Sequence, residues 1–264
     1  MQAALPAAVV VFLLVALSAG APVGANLSAA EKSAIGRKIW QNECAGSVAG
    51  LTTWNAGEEF PSLGIGHFIW YPQGFKGRFE ESWPRFAAFA KERGAPLPAV
   101  ALERHSPWTS KAQFQADFTG PRLTAIRSFL ANHVNLQTEF IIARLRAALP
   151  KILAAAPAGE KARIEGNYAK VATTPQGTYA LVDYVNFKGE GIQISERYNG
   201  RGWGLLQVLG EMKDTPAGAA AASEFAAASK RVLSRRIANS PPARGEKRWE
   251  AGWHNRCATY GRPL

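Results

Sequence analysis

From residue 28 onward, apolar residues recur one helical turn apart along most of the chain, and a different pattern breaks in near the front. Ser28 and Glu31 have the spacing of a capping box, and Ile35 and Ile39 follow on one face, which predicts a first helix delivering Glu43 at its C-terminal end. Residues 44–59 break the period with Gly46, Gly50, Asn55 and Gly57 and read as a loop or irregular hairpin arm. From Leu63 to Tyr71 (LGIGHFIWY) glycine alternates with apolar and aromatic residues, as in a short strand or hairpin whose backbone another chain approaches closely. Helical spacing returns over 82–93, with Pro84 in the first turn and Gly94 just past the end. A surface loop is expected at 94–109. Beyond it helices are predicted near 110–117, 121–132, 135–149, 160–172, 177–188, 203–212, 217–238 and 244–259, separated by proline, glycine or asparagine. The fold class that follows is mainly α (α+β), with one small β element near the front.

Composition sets the context. The chain has 264 residues, 47% of them hydrophobic, enough for a proper core. Residues 7–17 (AAVVVFLLVAL) form an apolar run followed by small residues, with no charged side chain before Glu31. This predicts a signal peptide over 1–25, removed to leave a single domain at 26–264 in the periplasm or outside the cell. The run is short for a bilayer span of roughly 20 residues, so no integral membrane association is expected after cleavage.

The formal charge of +11 points to anionic partners, cell-wall polymers among them. The basic residues are dispersed, and neither zinc-finger spacing nor an RNA-binding aromatic motif appears, so nucleic acid is not expected as a partner. The Arg and Lys residues of 231–248 read as a solvated helix face. Cys44 and Cys257 stand either as a disulfide between the first and last helices or as two buried thiols. His67, His105, His133 and His254 lack ligand spacing, so neither metal nor other cofactor is expected, and His67 reads as a hydrogen-bonded structural residue.

The candidate chemistry starts at Glu43, where the negative end of the helix dipole favours the protonated form that a general acid needs. Glu43 followed some twenty residues later by Gly64-Ile-Gly-His67 resembles the phage-type lysozymes of the lysozyme superfamily, and Gly252-Trp-His-Asn-Arg256 is similar to a segment near those enzymes' ends. The resemblance covers roughly residues 35 to 71. It implies a lysozyme-like helical domain with a small hairpin lobe, a saccharide cleft between them, and Glu43 as the acid that protonates a glycosidic oxygen. The second polar group would come from Glu58, Glu59 or Ser62. Glycoside cleavage usually needs one protonated and one ionised carboxyl group. The family's aspartate and threonine at comparable places are not matched. Gly64, Gly66, His67 and Trp70 would hold the glycan.

A second segment competes. Glu190 at a helix end, followed by Tyr198, Trp203 and Gly204-Leu-Leu-Gln207, resembles the lytic transglycosylases, which implies Glu190 as acid and base. The alternative is that Glu190, Tyr198 and Gln207 line the far wall of the same cleft and only bind sugar, with Trp203 beside them a further substrate-binding candidate. Of Trp40, Trp54, Trp70, Tyr71 and Trp203, one or two are expected to stack on saccharide rings. The expected activity is hydrolysis of β-1,4 bonds in peptidoglycan or a related amino-sugar polymer. A lytic transglycosylase using Glu190 and a non-catalytic wall-binding protein are the alternatives.

Overall fold

The computed structural model describes residues 23–264 apart from Ala25 and Arg78. The predicted signal peptide, except for Val23 and Gly24, lies outside the described residues.

The capping box at Ser28 forms as its spacing predicts. Glu31 N donates to Ser28 Oγ at 3.2 Å, Ser28 N donates to Glu31 Oε2 at 2.8 Å, and α1 runs over Ala29–Cys44. Three two-residue strands then form an antiparallel sheet: β1 (Thr52–Thr53), β2 (Ser62–Leu63) and β3 (Phe68–Ile69), with Leu63 opposite both Thr52 and Phe68. The turn between β2 and β3 is Gly64-Ile-Gly-His67, so LGIGHFIWY is a tight hairpin.

The glycines of that hairpin answer a need inside the protein. Gly64 has φ +71°, and a Cβ there would sit 2.3 Å from Gln137 Oε1, the atom that accepts the Ile65 amide at 2.9 Å. A Cβ on Gly66 would strike the Phe68 ring at 2.3 Å. The close approach that the alternation signals is thus mainly to a helix of the same chain.

The remaining helices are α2 (Trp83–Glu92), α3 (Lys111–Ala116), α4 (Pro121–Asn132), α5 (Val134–Ala155), α6 (Lys161–Val171) and α7 (Pro175–Lys188). A second hairpin, β4 (Arg197–Tyr198) and β5 (Arg201–Gly202), precedes α8 (Leu205–Glu211), α9 (Ala219–Asn239) and α10 (Glu250–Ala258). The chain is therefore mainly α with a small β lobe, as the sequence predicts. α5 overruns its predicted end at Pro150. Losing a bond there costs about 3 kcal/mol, but Ile152 and Leu153 are buried beyond it, at ~1.5–3 kcal/mol each.

α1 lies against α5 and α7, and α9 packs on α7, α8 and α10. The β lobe has its own aromatic interior, in which Phe68 stacks on Phe86 at 4.7 Å and Trp70 meets Trp83 at 5.4 Å. The basic face of α9 is knit into the fold. Arg236 is 11% exposed and forms an ion pair with the buried Glu246, and Arg231 and Arg235 both pair with Glu211, which corrects the solvated face expected of 231–248 for these three, while Arg244, Lys247 and Arg248 are exposed as expected. Both cysteines are free and buried, which leaves the two-thiol alternative. No helix of the described residues is long and apolar enough to cross a membrane.

Candidate active site

Glu43 is the penultimate residue of α1, after which Ala45 turns left-handed (φ 52°). Its carboxylate opens into a cleft of about 330 Å³ between the β lobe and the faces of α5 and α7. Glu58, Glu80 and Glu190 line the same cleft.

Glu43 does not stand alone. Arg256, on α10, donates from Nη2 to Glu43 Oε1, which also accepts from Asn186 Nδ2 at 3.2 Å. His67 Nδ1 lies 3.6 Å from Oε2. Behind these sits Asp183, fully buried in the middle of α7. It takes Arg256 Nε at 2.8 Å, Arg256 Nη2 at 2.9 Å, Tyr260 Oη at 2.7 Å and Asn42 Nδ2 at 3.0 Å. Burial alone would lower the Arg256 guanidinium, but the charge and hydrogen bonds of Asp183, followed by Glu43, hold it above its ordinary value. The Cys44 thiol is pushed up to about 12 by burial and then by the Glu43 charge, which makes it a poor nucleophile.

Glu190 follows α7 between two glycines of positive φ, Gly189 (82°) and Gly191 (81°). The start of α8 pins this segment: Leu205 N donates to Gly189 O and Leu206 N to Glu190 O, both at 3.0 Å. Gln207 Nε2 donates to Gly191 O at 3.0 Å while its Oε1 accepts from Gly204 N at 2.9 Å. Burial raises the Glu190 carboxyl above its ordinary value of 4.5, and Glu80 adds to this against the opposing charges of Lys151 and Arg144.

Of the other residues singled out in the sequence, Glu58, Ser62, Gly66 and His67 line the cleft. Asn55 Nδ2 holds the Glu58 carboxylate at 3.0 Å, and the Trp54 ring N–H donates to its carbonyl at 2.7 Å. Several expectations are corrected. Glu59 is exposed outside the cleft wall. Gly64 faces Gln137. Trp70 is fully buried against Trp83 and Trp108. Tyr198 donates to Glu246 at 2.8 Å, Trp203 lies under Arg236 at 4.0 Å, and Gln207 is spent on the backbone, so none of the three lines the cleft. None of the five candidate aromatic residues reaches the cleft wall, where the rings are Phe60 and Phe79. The His67 ring makes no hydrogen bond among the described residues, contrary to expectation: its Nδ1 stays 3.6 Å from Glu43, its buried Nε2 has no partner, and its backbone φ is +45°.

The sequence reading missed Asp183, Asn186, Phe60, Phe79 and Glu80. Asp183 had a signal. A single aspartate inside the apolar stretch Tyr179–Val185 must be buried, and a buried charge requires a partner. No family model matches the chain, and neither does any curated protein or solved structure.

Proposed function

We propose that this chain is a glycoside hydrolase with a lysozyme-like fold, cleaving β-1,4 bonds of peptidoglycan or a related amino-sugar polymer by general acid catalysis. The observation that carries the reading is that Glu43, oriented by Arg256 and Asn186, opens into a cleft shared with further carboxylates. Glu43 donates the proton to the glycosidic oxygen, and Glu58, steadied by Asn55, supplies the ionised carboxylate that the developing positive charge needs. Ser62, the Gly66 backbone, Phe60 and Phe79 offer the polar and aromatic contacts that sugar rings use. The formal charge of +11 suits an exported protein working on an anionic wall.

One observation favours a second reading. Glu190 has a carboxyl raised by burial and lines the same cleft, as the acid of a transglycosylase would.

The experiment is digestion of purified peptidoglycan by the mature chain and by Glu43→Gln and Glu190→Gln, with fragments identified by mass. Loss in Glu43→Gln alone, with hydrated sugar ends from the wild type, is the expected result. Loss in Glu190→Gln alone, with anhydro ends, moves the chemistry to Glu190. Binding without any cleavage identifies a wall-binding protein.

A further inference from the structure

Three charged groups form a chain from the interior to the cleft, and they do not balance. Arg256 carries one positive charge and touches two carboxylates. Asp183 takes the guanidinium edge in a bidentate grip, while Glu43 receives a single bond from Nη2. The trio therefore has one negative charge in excess, and a proton added to it has two possible homes. Asp183 is fully buried and accepts four hydrogen bonds, two of them from the Arg256 guanidinium. Glu43 is 13% exposed, faces the cleft and accepts fewer. Glu43 is thus the less tightly held carboxylate of the two.

We propose that Asp183 is a positioning residue for the reaction: it matches the charge of Arg256, so that Glu43 shares that guanidinium instead of owning it and can carry the proton that cleavage requires. This rests on the reading of Glu43 as the proton donor. Without Asp183, Arg256 and Glu43 would form a private ion pair, and such a pair keeps a carboxylate ionised. The position also explains why a charge is tolerated in the interior of α7, since every hydrogen-bonding site on Asp183 is met from α1, α10 or the turn after α10.

The other titratable groups facing the trio are His67 from the hairpin turn, Cys44 from α1, Tyr179 and Lys188 from α7, and Cys257 and Tyr260 from the C-terminal segment. Burial is the leading cause that pushes both thiols and Tyr179 up to about 12, so these stay neutral at physiological pH. Lys188 is lowered to about 7 by burial, with Arg236 and Arg256 adding to it. Lys188 and His67 are retained in the variant.

The test is titration of the Glu43 carboxyl by NMR in protein labelled with carboxyl-13C glutamate, the resonance being assigned by its loss in Glu43→Gln. In Asp183→Asn the expected midpoint falls by about 1–2 pH units. The alkaline limb of kcat/KM should move down with it, and activity at pH 7 should drop roughly 10- to 100-fold, since each unit is a factor of ten in the protonated fraction. A folded Asp183→Asn protein with an unchanged or raised midpoint overturns the proposal. If that variant does not fold, Tyr260→Phe decides. It takes one donor from Asp183, leaves more of the aspartate's charge facing Glu43, and should shift the midpoint upward. No shift, or a downward one, overturns the proposal. Because the titration is read without substrate, it stands apart from the activity of Glu43→Gln, whose full retention would remove the Glu43 reading alone.

Discussion

Arg256 binds Glu43 from 213 residues further along the chain, and the same guanidinium holds the buried Asp183. The candidate catalytic carboxylate is thus positioned by the last helix of the fold. A consequence is that the C-terminal segment cannot be loosened without disturbing the front of the cleft. Arg256→Ala leaves Asp183 buried without its ionic partner and should cost about 3–5 kcal/mol of stability together with most of the activity. Arg256→Lys keeps the charge but not the planar fork that serves two carboxylates, and should fall between. Thermal unfolding alongside kcat measures both. Equal stability in Arg256→Ala and wild type would contradict the network.

Glu190 is held above its ordinary carboxyl value, and the sign of its contribution follows. An acid whose folded pKa is raised binds more protons folded than unfolded, so its contribution to stability is complete below the unfolded value near 4.5 and is lost as pH rises through the folded one. Glu190→Gln should therefore melt at a higher temperature than wild type at pH 7, and the difference should vanish near pH 3.5. Melting curves at the two pH values check it. A variant less stable at pH 7 would mean that Glu190 is an ion-pair partner.

The hairpin turn is specified by its glycines to different degrees than Gly57 in the loop before it. Gly64→Ala meets both a left-handed backbone and Gln137, and should cost at least about 2 kcal/mol. Gly57 also has positive φ (78°) but open space around it, so Gly57→Ala should cost only about 1 kcal/mol. Urea denaturation midpoints of the two variants measure the difference.

Much of this architecture was legible in the residues. Helix ends marked by proline and glycine, such as Pro84 and Gly94 around α2 and Pro121 at the head of α4, fall within a residue or two of their predicted places, because those signals are local. The β4–β5 hairpin was missed, since a single β element near the front was expected, although Asn199-Gly200, with φ 49° and 74°, is the residue pair that a tight hairpin turn prefers. The aromatic residues misled for a physical reason. Trp70 and Trp203 lie beside the motifs in sequence, but each has a large apolar surface that the interior claims first. What the sequence pattern does not carry is partnership across the fold. Nothing local to Asn186 or Arg256 tells that both converge on Glu43, or that Asp183 holds Arg256 from behind.

The central claim is that position 43 faces the bond that breaks. The most direct measurement is a crystal structure of Glu43→Gln with a bound amino-sugar oligosaccharide long enough to span the cleft. The account predicts a glycosidic oxygen within about 3.2 Å of the substituted side chain, the reach a proton donor needs. An oligosaccharide whose nearest glycosidic oxygen lies beside Glu190, with position 43 out of reach, would contradict it.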